Sequence, residues 1–165
     1  MLLKTTDKPT FFVDAMLGNI ARKLRLSGYD SQYFADVDDD KLIDSAKKEN
    51  RIVVSSDEEL IKKTKKLGMK SIYVIKKEEI EQFFEIITSV NLRRIQMDGN
   101  VARCPKCNSL TELVDKNSVK KKIPQGVIKL NDKFWRCKSC NQIYWEGTHI
   151  KNLQSFVGKI NERLQ

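Results

Sequence analysis

The chain predicts an α/β protein, a three-layer sandwich with a mainly parallel sheet over residues 10–95, joined to a small β-rich module at 100–150 and a C-terminal helix at 150–165. Three observations predict it. Short apolar runs alternate with segments of helical period up to about residue 90; the only four cysteines stand in two CxxC pairs, CPKC and CKSC; and the excess positive charge is concentrated after residue 100.

The elements follow in order. The run TFFV closes on Asp14, and LGNIARKLRLSGYD then places Leu17, Ile20, Ala21 and Leu24 at helical spacing, with Gly28 as the stop. A second strand is expected at about 29–34. The acidic run Asp36, Asp38, Asp39, Asp40 then supplies an N-cap for a helix at about 39–49, with Leu42, Ile43 and Ala46 facing inward. A third strand covers 51–55, and Asp57 opens the helix DEELIKKTKKLG, which stops at Gly68. A fourth strand at about 70–75 and a fourth helix at 78–90 complete the alternation. Alternation of this kind makes the sheet parallel and its crossovers right-handed.

After Arg94 the pattern changes to turn residues, paired cysteines and short alternating segments such as KFWRC and QIYW, with no helical period expected until about residue 150. In the tail, Ile150, Leu153, Phe156, Val157, Ile160 and Leu164 have the spacing of an amphipathic helix.

Composition narrows the class. The net charge is +9, yet residues 1–100 carry 18 Lys+Arg against 17 Asp+Glu, while residues 101–165 carry 13 against 5. The last third is a landing surface for a polyanion, with nucleic acid the leading partner and a merely solvated basic surface the alternative. No apolar run approaches the roughly 20 residues of a membrane-spanning helix, so no membrane partner is expected. The start, MLLKTTDKPT, has no signal-peptide core, and a cytoplasmic protein is expected.

Cys104 and Cys107, then Cys137 and Cys140, are separated by 29 intervening residues. Two CxxC knuckles converging on one centre make a tetrahedral four-sulfur zinc site, with bonds of about 2.3 Å. Four protein ligands leave no open position, so this zinc is structural and folds a module too small to hold itself together.

The strand-end aspartates point to a second centre. Parallel strands bring their C-terminal ends to one edge, where open sheets keep their sites. Carboxylates gathered there repel one another unless a divalent cation neutralises them, and an all-oxygen set suits magnesium or manganese. Asp14 is either a ligand or a helix cap; Asp57 is likewise a ligand or an N-cap. In the acidic run Asp39 is the best-placed ligand and Asp38 the next, the others capping or facing solvent. Arg22 and Arg25, three apart on one helix face, either clamp a phosphate or pair with the aspartates. Lys120, Lys121 and Lys122 form a solvated loop or contact a nucleic-acid backbone. Phe134, Trp135, Tyr144 and Trp145 stack on bases or build the core around the zinc. His149, the only histidine, is expected to form structural hydrogen bonds in the module.

Together, FFVDAMLGNIARKLRLSGYD, DVDDDKLIDSAKKENRIVVSSDEEL, RCPKCN and FWRCKSCNQIYWEGTH resemble the PIN-like ribonuclease domain with a fused zinc ribbon, first described at the C-terminus of mut-seven exonuclease proteins. The resemblance covers about residues 11–150. It implies a PIN-type fold, a metal-dependent RNase site and a zinc ribbon. By motif, Asp14 is the first-strand acid, Asp39 the acid at the start of the second helix, and Asp57 with Glu59 the acidic motif after the third strand. Arg22 and Arg25 match the paired arginines of the first helix. Lys23 stands where tryptophan is frequent and Ser56 where arginine is frequent; neither departure removes a carboxylate. The function expected is an endoribonuclease-like hydrolysis of single-stranded or structured RNA. One or two magnesium or manganese ions would sit on Asp14, Asp39 and Asp57, and the basic ribbon would dock the RNA. The alternatives are a non-catalytic RNA-binding adaptor and a phosphatase-like or DNA-directed enzyme, since RNA as the substrate rests on the resemblance alone.

Overall fold

Four short strands, β1 (Phe11–Val13), β2 (Ser31–Tyr33), β3 (Ile52–Ser55) and β4 (Ser71–Tyr73), pair entirely in parallel in the order β2-β1-β3-β4. The structure is a computed structural model that describes residues 8–165; residues 1–7, on which the targeting expectation largely rests, lie outside the described residues. The helices α1 (Gly18–Leu26), α2 (Asp39–Lys48), α3 (Glu58–Lys66) and α4 (Glu79–Ser89) follow the four strands in turn, with a 3-10 turn at Ala15–Leu17 leading into α1. These bounds lie within the expected segments, the strands being shorter by one to three residues. Gly28 (φ +86°) follows the end of α1 and Gly68 (φ +70°) that of α3, as their stop signals predict.

Burial shows why these runs are strands. Phe12 and Val53 are register partners and pack with Leu42, Ile43 and Ala46 of α2 and Leu60 of α3. Phe11, Val13 and Val54 alternate to the opposite face and are buried as well. A sheet apolar on both faces is a sheet covered on both faces. Each large side chain so buried stabilises the fold by about 1.5–3 kcal/mol.

The strand order creates one special place. The chain steps from β1 to β2 in one direction, then returns across β1 to β3 and on to β4. Right-handed crossovers therefore put the first connecting helix on one face and α2 and α3 on the other. The reversal leaves a crevice at the C-terminal ends of β1 and β3, the topological switch point.

The chain forms two compact units, residues 8–21 with 29–91 and residues 22–28 with 92–165. The second unit thus takes in the last turns of α1. It is built on an antiparallel sheet of β5 (Thr111–Val114), β6 (Phe134–Cys137) and β7 (Ile143–Tyr144) in that order. Two short helices, α5 (Lys116–Val119) and α6 (Gln125–Leu130), occupy the link between β5 and β6, where no helix was expected. The Asp115 carboxylate caps α5 by accepting from the Asn117 amide, and Val119, Ile123, Val127 and Ile128 pack with Phe134 in a small satellite core. That core holds helices too short for any periodicity to reveal.

The tail is α7 (Thr148–Arg163), with Val157 and Ile160 buried. Its Asn161 side chain pairs with both backbone groups of Ile95, each at 2.9 Å, and Gln154 donates to the Met97 carbonyl at 3.0 Å, so the segment entering the unit is clamped along the helix. Among the described residues no helix is long and apolar enough to cross a membrane.

Candidate active site and zinc centre

Asp14 follows β1 directly, and its amide donates to the Val54 carbonyl at 2.9 Å, so the parallel pairing of β1 and β3 extends to the carboxylate itself. One carboxylate oxygen accepts from the Ala15 amide at 2.7 Å, capping the 3-10 turn. The other accepts from the hydroxyl of Ser55, the last residue of β3, at 2.7 Å. Ser55 is fully buried, and its Oγ in turn accepts from the Asp57 amide at 2.9 Å. A single hydroxyl thereby ties the ends of β1 and β3 together and aims the Asp14 carboxylate. The turn is held from the other side by Tyr33, whose hydroxyl donates to the Ala15 carbonyl at 3.0 Å. A Cβ at Gly18 would stand 2.8 Å from that hydroxyl, so glycine is what allows the approach.

Asp57 is the N-cap of α3, its Oδ1 accepting from the Glu59 amide at 2.8 Å and the Leu60 amide at 3.3 Å. Among the described residues its Oδ2 accepts nothing. Asp38 is the N-cap of α2, taking the Lys41 amide at 2.9 Å; that bond, with the Lys41 ammonium, holds its carboxyl below the usual range. Asp39 is the first residue of α2, with Lys63 Nζ 3.8 Å from its carboxylate. Glu59 faces solvent and pairs with Lys62 at 2.9 Å. The fold therefore sets Asp14 between the ends of β2 and β3, with the Asp38–Asp39 pair following the first and Asp57 the second. Both cap readings hold, and neither uses up the oxygens: an ionised carboxylate accepts at about four lone-pair sites. As a donor set these oxygens fit magnesium or manganese. They are not drawn together as the cysteines are, for among the described residues the four sulfurs are the one group close enough to share an ion without rearrangement.

The zinc expectation fits the geometry closely. The sulfurs of Cys104, Cys107, Cys137 and Cys140 all lie within 4.8 Å of one another, with Cys104 and Cys140 at 3.7 Å and Cys107 and Cys137 at 3.4 Å. Bonds of about 2.3 Å at tetrahedral angles would set sulfurs about 3.8 Å apart. The two knuckles repeat one another. In each, an asparagine after the second cysteine adopts positive φ (Asn108, 68°; Asn141, 61°) and its amide donates to the first cysteine's carbonyl, at 2.8 and 3.1 Å. The repeated R-C-x-x-C-N carries this signal, which the cysteine spacing alone does not.

The sulfurs are unequal. Cys107 is lowered to about 6: burial opposes the charge, but the Ser109 hydroxyl and amide and the thiols of Cys137 and Cys104 outweigh it. Cys140 is pushed up to about 11, because burial and the three neighbouring thiols outweigh the Gln142 amide that lowers it. Beyond the ligands, the Tyr144 hydroxyl lies 3.0 Å from Cys104 Sγ. Burial, with the hydrogen bond and charge of Cys104 adding to it, pushes that phenol upward, so it stays protonated beside the sulfur.

Arg25 requires a correction. It is 6% exposed, and its guanidinium donates to the carbonyls of Pro105 at 2.9 Å and Lys106 at 3.5 Å, inside the CPKC knuckle. It is buried against the CPKC knuckle and braces it, where the expectation had it on the helix surface beside Arg22. Its neighbour Arg22 is exposed and forms no ion pair among the described residues. Lys120, Lys121 and Lys122 are exposed just past α5. Phe134 and Trp135 are buried, whereas Tyr144 and Trp145 are half-buried. His149, expected to form structural hydrogen bonds, is exposed near the start of α7, and its side chain makes none among the described residues.

No curated protein and no solved structure shows significant similarity to the chain. A family profile does, that of the Mut7-C RNAse domain, over residues 9–157. The match takes in both units, the strand-end aspartates and the four cysteines, so the chain belongs to the Mut7-C RNAse domain family.

Proposed function

We propose that the chain is a metal-dependent ribonuclease of PIN type that hydrolyses RNA phosphodiesters at the C-terminal edge of β1 and β3. The observation that carries this reading is the placement of Asp14: a carboxylate at the topological switch point, its orientation fixed by a buried hydroxyl. Asp14, Asp57 and Asp39 would hold magnesium or manganese, with Asp38 and Glu59 nearby in sequence as further acids. Bound there, the ion would supply an activated water and charge neutralisation for in-line attack at phosphorus. The chain's own part is positional. Ser55 holds Asp14 in one rotamer, and the cap amides hold Asp57 Oδ1, leaving Oδ2 as the available ligand atom. The second unit would supply affinity for the RNA backbone through its surplus of lysine and arginine, Arg22 and Lys120–Lys122 included.

A second reading is a non-catalytic RNA-binding adaptor. It is favoured by one observation, that the carboxylates are occupied as caps and not already gathered as an ion site.

The test is cleavage of an end-labelled single-stranded RNA by zinc-loaded protein, with and without added magnesium or manganese. Omission of the divalent ion is the control, since a chelator would strip the zinc as well. Cleavage that needs the ion and is lost in Asp14→Asn is the result expected. Tight binding without cutting under every ion condition would replace the nuclease with the adaptor.

A further inference from the structure

Within the second unit a cavity of about 80 Å³ opens between Trp135, Trp145, Tyr144 and Met97, with Glu146 and the exposed Arg22 also lining it. Its walls are fixed. Trp135 is buried, with its indole N–H directed to Asn100 Oδ1 at 3.4 Å; Tyr144 is tied to Cys104; Trp145 leans on Phe134 at 6.4 Å between ring centroids. Gly99 closes on Trp135 so tightly that a Cβ there would come within 2.2 Å of the indole. The polar groups are fewer and partly uncommitted. Glu146 Oε1 accepts from the Gly99 amide at 2.9 Å, which fixes the carboxylate, while Oε2 accepts nothing among the described residues.

An apolar cavity lined by aromatic side chains, a carboxylate held by a backbone amide, and a guanidinium with no ion pair among the described residues suit a flat ligand with apolar faces, hydrogen-bond donors along one edge, and an anionic group beside it. That is a nucleotide. Among the four bases, guanine alone offers two adjacent donors, N1–H and N2–H, to a carboxylate. Adenine and cytosine each offer an amino group beside an acceptor nitrogen, and uracil sets its single imino N–H between two carbonyls that a carboxylate would repel. A volume this small takes the edge of a base and leaves its sugar and phosphate at the mouth, within the field of Arg22. We propose that this cavity is a guanine-reading pocket for single-stranded RNA, with Glu146 as the specificity-determining residue and Arg22 as the phosphate contact. The inference rests on RNA being the substrate and adds to it a base preference set in the second unit.

The experiment measures fluorescence anisotropy of labelled eight-nucleotide RNAs bound to the full-length, zinc-loaded Asp14→Asn protein. The probes are oligouridine and the same strand with one central guanosine, adenosine, cytidine or inosine. A preference of about five- to tenfold for guanosine is expected, the size of one carboxylate-to-base pairing. Inosine, which lacks the N2 amino group, should lose most of it without any change to the protein. Glu146→Gln keeps the acceptor for Gly99 and replaces Oε2 with a donor, so it should abolish the preference, bringing the guanosine probe and oligouridine to the same affinity. Equal binding of all probes, or a guanosine preference that survives both inosine and Glu146→Gln, overturns the pocket and leaves the ribonuclease reading intact. Failure of every probe to bind overturns both.

Discussion

Replacing Ser55 with alanine removes the hydroxyl that joins the two central strand ends. It deletes a bond to an ionised carboxylate, at 2.7 Å from Asp14, and a neutral bond from the Asp57 amide at 2.9 Å, both made by a fully buried side chain. A hydrogen bond to a charged group contributes about 1.5–3 kcal/mol and a neutral one about 0.5–1.5 kcal/mol, so the loss should be about 2–4.5 kcal/mol. In a chain of this length that lowers Tm by about 4–18 °C, at about 2–4 °C per kcal/mol. The partition between the two bonds comes from a double-mutant cycle with Asp14→Ala, read by urea unfolding in far-UV circular dichroism. If Ser55 aims Asp14, the coupling energy should be about 1.5–3 kcal/mol. The same variant should also cut less RNA, through a misoriented Asp14. A coupling below about 0.5 kcal/mol would show that the hydroxyl and the carboxylate act independently, and the argument for an oriented Asp14 would fail.

Further tests address the cap, the zinc and the packing around Trp135. Asp57→Asn keeps a good N-cap and should leave Tm within about 1 °C, yet it should reduce cleavage to background in the end-label assay; a variant that folds and still cuts removes Asp57 from the ion site. Zinc binds thiolates and displaces their protons, so in competition titrations its affinity should rise with pH most steeply below about 6, where Cys107 too is protonated, and more gently up to about 11, where Cys140 ionises; acid should release it. Both tryptophans, Trp135 and Trp145, lie in the second unit, so zinc removal should shift tryptophan emission to the red while the far-UV signal of the α/β unit persists; emission unchanged at full zinc loss would contradict a folding role for the metal. Gly99→Ala places a methyl into the Trp135 ring and should cost about 1–3 kcal/mol in urea unfolding, with a wild-type midpoint refuting the close contact.

What the sequence determined by itself was the alternation of strand and helix, the acids at the strand ends, the helix caps and stops, and the two CxxC knuckles. These are local signals: apolar period, a capping residue, or a ligand pair within four positions. Tertiary structure decided the rest. The order β2-β1-β3-β4, which makes the edge beside Asp14 a switch point, depends on which strand each crossover reaches, and no local pattern encodes that. Ser55 reads as an unremarked strand residue until its hydroxyl meets a carboxylate 41 positions away. Arg25 matched a surface pair with Arg22, yet its helical turn belongs to the second unit, where its guanidinium meets carbonyls 80 and 81 positions on. Helices α5 and α6 escape periodicity because four and six residues are too few to show one, and they form because Phe134 gives their apolar residues a core to cover. In each case the missing information is a contact between distant residues, whose free energy comes from burial and from hydrogen bonds that exist only once the chain has closed on itself.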